Sequence, residues 1–115
     1  MPNTQYAEML QDDPSEARER ERIALDRSIA LMEQASIGGA SGVDVANAIA
    51  FTNKLWCVLI EDLAEPDNGL PKELKAQFVS IGIWILRELE RIRSEESPKF
   101  TDVIEVSKAI RNGLL

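Results

Sequence analysis

Apolar side chains are most concentrated in residues 78–86, FVSIGIWIL. Seven of these nine residues are apolar, and the other two, Ser80 and Gly82, are small. Because the apolar side chains would point to nearly every side of a helix, neighbouring helices or a partner must bury them. The β-branched residues leave a buried strand as an alternative. Helix formers on both flanks favour a helix, so we predict one over residues 71–93 that the rest of the chain covers.

Periodic apolar residues predict three further helices, over about residues 14–36, 43–64 and 101–112. Capping sequences mark the start of the first two: DPSE at residues 13–16, and Ser41 with Asp44. Gly113 is the predicted stop of the last. The predicted buried stripes are Ile23, Leu25, Ile29 and Met32 in the first helix, Val45, Ile49, Trp56, Leu59 and Leu63 in the second with Phe51, Leu55 and Val58 beside them, and Val103, Ile104, Val106 and Ile110 in the last.

A short connection joins the second predicted helix to the third. Pro66 ends the second helix, Asn68-Gly69 permits positive φ, and Pro71 begins the third. So short a connection predicts an antiparallel helix hairpin. Folding the hairpin about its turn pairs Phe78 with Trp56, Ile85 with Ile49 and Trp84 with Ala50.

Gly82 lies inside the third predicted helix, where a glycine costs about 0.5–1 kcal/mol relative to alanine. Its place in the apolar centre predicts that another helix approaches closely there. Together, the patterns predict an all-α, single-domain bundle of about four helices with a central antiparallel helix hairpin, over residues 13–115. A polar N-terminal arm, residues 1–12, precedes the bundle.

The composition narrows the classes of function. A net charge of −7 disfavours phosphate backbones and anionic membranes as partners. The chain has no histidine, the commonest general base and metal ligand. Its single cysteine, Cys57, cannot form an intramolecular disulfide, and its first residues show no secretory signal, so we expect a cytoplasmic protein.

Reactive groupings are missing from the sequence. The carboxylates come as neighbours, such as Glu61-Asp62 and Glu95-Glu96, which point about 100° apart on a helix and do not make a paired acid and base. Cys57 has no histidine to activate it and is expected to be a packing residue. With no metal-ligand spacing and no cofactor fingerprint, we expect no enzyme, no catalytic residue, no cofactor and no metal.

The first half of the first helix is highly charged. Its arginines leave an RNA-binding patch as one interpretation. Glutamates at helical spacing, Glu16 with Arg20 and Glu19 with Arg22, cancel that field and favour a solvated face. Nucleic acid is therefore a disfavoured partner.

Four segments carry a resemblance to a known family: residues 53–56 (NKLW), 62–71 (DLAEPDNGLP), 73–77 (ELKAQ) and 104–114 (IEVSKAIRNGL). In this order along the chain they resemble the flagellar protein FlaF family. The resemblance extends over roughly residues 17–114. At Ser107 this chain departs from the family signature, which has asparagine there.

The resemblance implies a small, cytoplasmic, non-enzymatic regulator of flagellin synthesis and export in flagellated bacteria. Members of the family work alongside the regulator FlbT and are linked to flagellin, which implies a secretion chaperone or adaptor. The expected partner is flagellin. The alternatives are an adaptor for FlbT and an RNA-binding regulator of the flagellin message, and a homo-oligomer stays open.

A partner site is expected on the apolar third helix. An amphipathic helix lying in a groove would use apolar residues that the hairpin does not bury, with large aromatic residues as anchors. The Asn53 side chain either recognises a partner or forms a hydrogen bond with neighbouring backbone. The two tryptophans are either anchors of a binding site or core residues. The predicted partner-binding residues are Asn53, Trp56, Val79, Ile83, Trp84 and Leu86.

Overall fold

The structure, a computed structural model, describes residues 14–39, 41–94 and 99–114. These residues form four α-helices and no strand, which confirms the predicted all-α bundle. The predicted polar arm, the Asp13 cap and most of the linker after the third helix lie outside the described residues. The helices are α1, Pro14–Ala35; α2, Gly42–Ala64; α3, Lys72–Arg93; and α4, Thr101–Leu114.

Local sequence sets the helix ends. After α1, Gly39 adopts a φ of 85°, which glycine reaches without steric strain. α2 begins at the predicted capping box, in which the Asp44 amide donates to Ser41 Oγ (3.2 Å) and the Ser41 amide donates to Asp44 Oδ2 (3.3 Å). The predicted stop at Gly113 is wrong, because α4 continues through it to Leu114.

The α2–α3 turn differs from its prediction in one respect. Glu65 is extended (φ −67°, ψ 136°), as a residue before proline prefers, and α2 ends there as expected. Neither Asn68 nor Gly69 has the predicted positive φ. Instead, the Asn68 side chain donates to the Asp62 carbonyl oxygen (3.3 Å) and accepts from the Leu70 amide (3.0 Å). A side chain, rather than a left-handed backbone, therefore holds the turn.

The four helices alternate in direction. α1 packs on α2, α2 packs on α3 as the predicted antiparallel hairpin, and α4 packs on α1. A buried hydrogen bond between the hydroxyls of Ser28 and Thr52 (2.9 Å) joins α1 to α2. The ion pairs that join α4 to α1 are Arg111–Asp26 (2.8 Å) and Lys108–Glu33 (3.7 Å), and their order shows that these helices are antiparallel.

The core receives side chains from all four helices, but not every residue of the predicted stripes belongs to it. Phe51 and Leu63 are only half-buried, and two others are exposed. Ile23 is 59% exposed and Val58 is 53% exposed. Each lies two positions from a buried residue, Leu25 or Trp56, and two positions rotate a helix by about 200°. One face cannot hold both members of such a pair. The largest fully buried apolar side chains are Trp56, Phe100, Leu25, Met32, Ile85, Leu89, Ile92 and Val103.

The rest of the chain covers α3 only in part. Ile85 and Leu89 are fully buried, whereas Ile83 is 41% exposed and Trp84 is 37% exposed. The cause is the packing of α3, which lies closely against α2 but has no comparable close packing against α4 in the described part of the chain. Part of the apolar segment therefore remains open to a partner.

Among the described helices, α2 alone is long and apolar enough to cross a membrane, with a mean hydropathy of 1.3 in its most apolar window. The core helix of a soluble protein meets the same criterion. α2 buries Ala48, Ile49, Thr52 and Trp56 in the bundle and presents polar residues, such as Asn47, on the other side. Its apolar character is therefore weak evidence for a membrane span.

Candidate partner-binding surfaces

Helices α2 and α3 approach each other closely at Gly82. A Cβ atom at this position would lie 2.8 Å from Cε3 of Trp56 and 2.9 Å from Cδ1 of Ile60, distances shorter than van der Waals contact. This confirms the predicted close approach of another helix. It also corrects the predicted register, because Trp56 lies opposite Gly82, about one helical turn beyond Phe78. Tilt and turn geometry set that offset, and folding the sequence about one residue does not capture them.

Trp56 belongs to the core of this chain. Its side chain is 1% exposed, packed between α1 and α3. Among the described residues no acceptor lies within hydrogen-bonding distance of its Nε1 atom. Of the six residues predicted to bind a partner, it is the most buried, and a partner reaches its ring only if the helices separate.

Four of the other predicted residues lie on the outer side of the hairpin. Gly82 and Trp56 meet across it, so the next residues along, Ile83 and Cys57, each turn about 100° outward from that contact. α2 and α3 are antiparallel, and equal rotations therefore bring both residues to the same side. We call this surface the hairpin face; its residues are Asn53, Cys57, Val79, Ile83 and Leu86.

The hairpin face is apolar on its α3 side and polar on its α2 side. Val79, Ile83 and Leu86 follow one another at spacings of four and three, which forms a continuous stripe along α3. Ile83 is the most exposed of the three, and the others are half-buried. Across from this stripe, the Cys57 thiol donates a weak hydrogen bond to Asn53 Oδ1, with 3.7 Å between the sulfur and the oxygen. The prediction that Cys57 packs inside the protein is wrong, since the thiol is exposed.

Trp84 lies on the other flank of α3, facing α4. With Ser80, Ile81 and Val106 it lines an open, almost entirely apolar hollow of about 300 Å³, which we call the seam hollow. The predicted neighbour of Trp84, Ala50, belongs to α2 and is not part of this lining. The hollow was not predicted, because α2 is the one helix that the sequence places beside α3. Val106, predicted to be buried, is half-buried and packs against the core.

Some charged side chains on α1 and α3 form ion pairs within their own helix. Arg22 forms an ion pair with Glu19, which raises the pKa of the Arg22 guanidinium. On α3, Arg91 Nη2 donates to Glu88 Oε2 at 2.6 Å, and this bond lowers the pKa of the Glu88 carboxyl. The pairing of Arg22 reduces the positive charge available to an RNA on α1.

No group of three or more histidine, cysteine, aspartate or glutamate side chains in the described ranges is placed to hold a metal ion. The two surfaces described above instead offer apolar contact with a polar border. Apolar contact of this kind suits the binding of another polypeptide.

Comparison with known proteins supports the interpretation of the sequence. A model of the family described as "Flagellar protein FlaF" matches residues 2–114. Searches of curated proteins and of solved structures returned no significant match. The family match covers nearly all of the chain and includes both surfaces and the four segments that carried the resemblance. This chain belongs to the flagellar protein FlaF family.

Proposed function

We propose that this protein is a non-enzymatic, cytoplasmic chaperone or adaptor that binds flagellin and thereby modulates flagellin synthesis and export. Family membership supports a flagellar role. The apolar stripe of the hairpin face supports a role in binding another protein. The observation that carries the proposal is the exposure of Ile83, 41%, at the centre of that stripe.

The hairpin face matches the chemistry of an amphipathic helix. Val79, Ile83 and Leu86 span seven residues, about two helical turns, which is the usual length of an anchoring stripe in helix-in-groove recognition. Asn53 stands at its border and offers an amide to a polar group of the bound helix. Flagellin termini are helical in the filament, so covering their apolar faces would prevent premature assembly.

Ile83→Asp tests the proposal against a matched control. Ile83 is exposed, so the variant should keep its far-UV circular dichroism spectrum while flagellin binding, measured by calorimetry, is lost. The control is Ile23→Asp, the same change at an exposed isoleucine on α1. It should bind like the parent. A folded Ile83→Asp protein with undiminished affinity would remove the hairpin face from the proposal, and an unfolded one would show that Ile83 is a core residue.

Cys57 provides a second, independent measurement in the unmodified protein. It is the single cysteine of the chain, it is exposed, and it lies on the hairpin face. Bound flagellin should therefore slow its reaction with a maleimide. Labelling at the same rate with and without saturating flagellin would place the bound partner elsewhere.

Two further measurements separate the competing functions. The affinity for flagellin bound through the apolar hairpin face should change little as the salt concentration rises, whereas an affinity for RNA should fall steeply. Co-purification from a flagellated cell, followed by mass spectrometry, should recover flagellin. Recovery of FlbT without flagellin would favour the adaptor role instead, and recovery of neither would count against the proposal.

A further inference from the structure

The α3 side and the α4 side of the seam hollow carry side chains of opposite charge that do not form an ion pair with each other. Arg87 follows Trp84 by one turn on α3, and Asp102 precedes Val106 by one turn on α4; both are exposed. Because α3 and α4 are antiparallel and Val106 lies opposite residues 80–84, Asp102 stands at about the height of Arg87. Neither of these two side chains forms an ion pair with any described residue.

The same surface on a second copy of this chain can supply the oppositely charged partner that Arg87 and Asp102 each lack. Consider a two-fold axis that runs parallel to the helices, above the seam between α3 and α4. It lays α3 of one copy over α4 of the other and keeps every residue at its own height. Arg87 of each copy then meets Asp102 of the other, and Trp84 of each copy meets Val106 of the other. This is the self-complementary arrangement that a two-fold interface requires.

We propose that the seam hollow is the interface of a homodimer, in which Trp84 fills the hollow of the second copy and Arg87 pairs with Asp102 across the two-fold axis. A half-exposed tryptophan at the centre of an apolar hollow, bordered by charge, is the usual composition of such an interface. Trp84 lies about 100° around α3 from Ile83. The dimer is therefore centred on a different flank of α3 from the hairpin face, and Arg87, four residues after Ile83, lies at the border between the two surfaces.

Charge reversal tests the pairing. Sedimentation of the full chain over a wide concentration range should show association from 12.8 kDa to twice that mass. Arg87→Glu and Asp102→Arg should each weaken dimerisation by about tenfold or more, since each puts like charges together twice. An equimolar mixture of the two variants should dimerise again, because the mixed pair restores both attractive contacts. The double variant should do so by itself.

The control is Arg27→Glu, the same change at an exposed arginine on α1, which should dimerise like the parent. In a Trp56→Phe background, Trp84 is the remaining tryptophan. Its fluorescence should shift to shorter wavelength as the dimer forms.

Three results would overturn the proposal. The first is a parent protein that stays at 12.8 kDa at every concentration. The second is a dimer that single reversals leave intact, or that the mixture of variants does not restore. The third is a dimer that Ile83→Asp abolishes while Arg87→Glu does not, which would assign the interface to the hairpin face.

Discussion

Helices α2 and α4 both lie between α1 and α3, yet they are held in different ways. α2 packs closely against both neighbours, whereas α4 packs closely against α1 and leaves the seam hollow beside α3. On the α2 side, the contact row of α3 contains Gly82, which lets the helices approach. On the α4 side, α3 presents Trp84, which lines the hollow between the two helices. The closed contact therefore contains a residue without a side chain, and the open one contains the largest side chain.

Alanine substitutions of the two tryptophans should show the largest difference in stability between the α2 side and the α4 side of α3. Trp56→Ala removes a fully buried ring and should destabilise the protein by about 3–5 kcal/mol. Trp84→Ala removes a ring that is 37% exposed in the seam hollow, and the monomer should lose less, roughly 1–2.5 kcal/mol. Urea denaturation of both variants at low protein concentration measures the difference. Equal losses would mean that the α4 side is packed as tightly as the α2 side.

Gly82 tests the closed contact directly. Gly82→Leu should destabilise the protein by roughly 1–3 kcal/mol, because the new side chain overlaps the rigid ring of Trp56. A matched control is Gly42→Ala, since a Cβ atom at Gly42 meets nothing within 4 Å. That control should be neutral or stabilise by about 0.4–1 kcal/mol. A Gly82→Leu protein as stable as the parent in urea would refute the close approach.

Most of the fold could be predicted from the sequence because its signals are local. Capping at Ser41, the end of α2 before Pro66 and the need for space at Gly82 each depend on a few neighbouring residues, and each prediction was confirmed. The hairpin register was wrong by about one turn, because it depends on helix tilt. The exposure of Cys57 was missed because an apolar neighbourhood in sequence was taken for burial.

The candidate surfaces were predicted in part. Val79, Ile83 and Leu86 were named because the hairpin uses other positions of α3, and the structure places them together on one flank. Trp84 was grouped with them, but it faces α4. Which helix lies beside α3 on that side depends on long-range packing between distant parts of the chain, and a single sequence carries no local signal for it.

The buried hydroxyl groups on α2 and α4 also differ in their hydrogen bonding. Ser28 of α1 bonds to Thr52 of α2, whereas Ser107 of α4 is buried with no hydrogen-bond partner among the described residues. Ser28→Ala should therefore cost about 1–3 kcal/mol, since it leaves the Thr52 hydroxyl unpaired. Ser107→Ala should be neutral or stabilise by about 1 kcal/mol. Thermal unfolding measures both, and a clear loss of stability in Ser107→Ala would show that its hydroxyl is satisfied by bound water.

The smallest expected effect concerns charge. Here the contact of α1 with α2 is less favourable than the contact of α1 with α4. Asp26 of α1 pairs with Arg111 of α4, whereas Glu21 of α1 is repelled by Asp62 of α2. Burial, and secondly the Asp62 charge, raise the pKa of the Glu21 carboxyl above its ordinary value of 4.5. The folded protein therefore holds the Glu21 proton more tightly than the unfolded chain. The stability that this gives is complete at acidic pH and is lost as pH rises through the raised pKa.

At pH 7 the parent has lost this contribution, and Glu21→Gln, which is always neutral, should be more stable by less than about 1 kcal/mol because the site is partly solvated. The difference between variant and parent should shrink as pH falls through the raised pKa and should vanish below 4.5, the ordinary carboxyl pKa, where the Glu21 side chain is protonated in both states. Urea denaturation at several pH values measures it, with Glu61→Gln, an exposed position on α2, as the control. If Glu21→Gln is less stable than the parent at pH 7, the Glu21 carboxylate is stabilised in the folded protein, and neither burial nor repulsion by Asp62 dominates its environment.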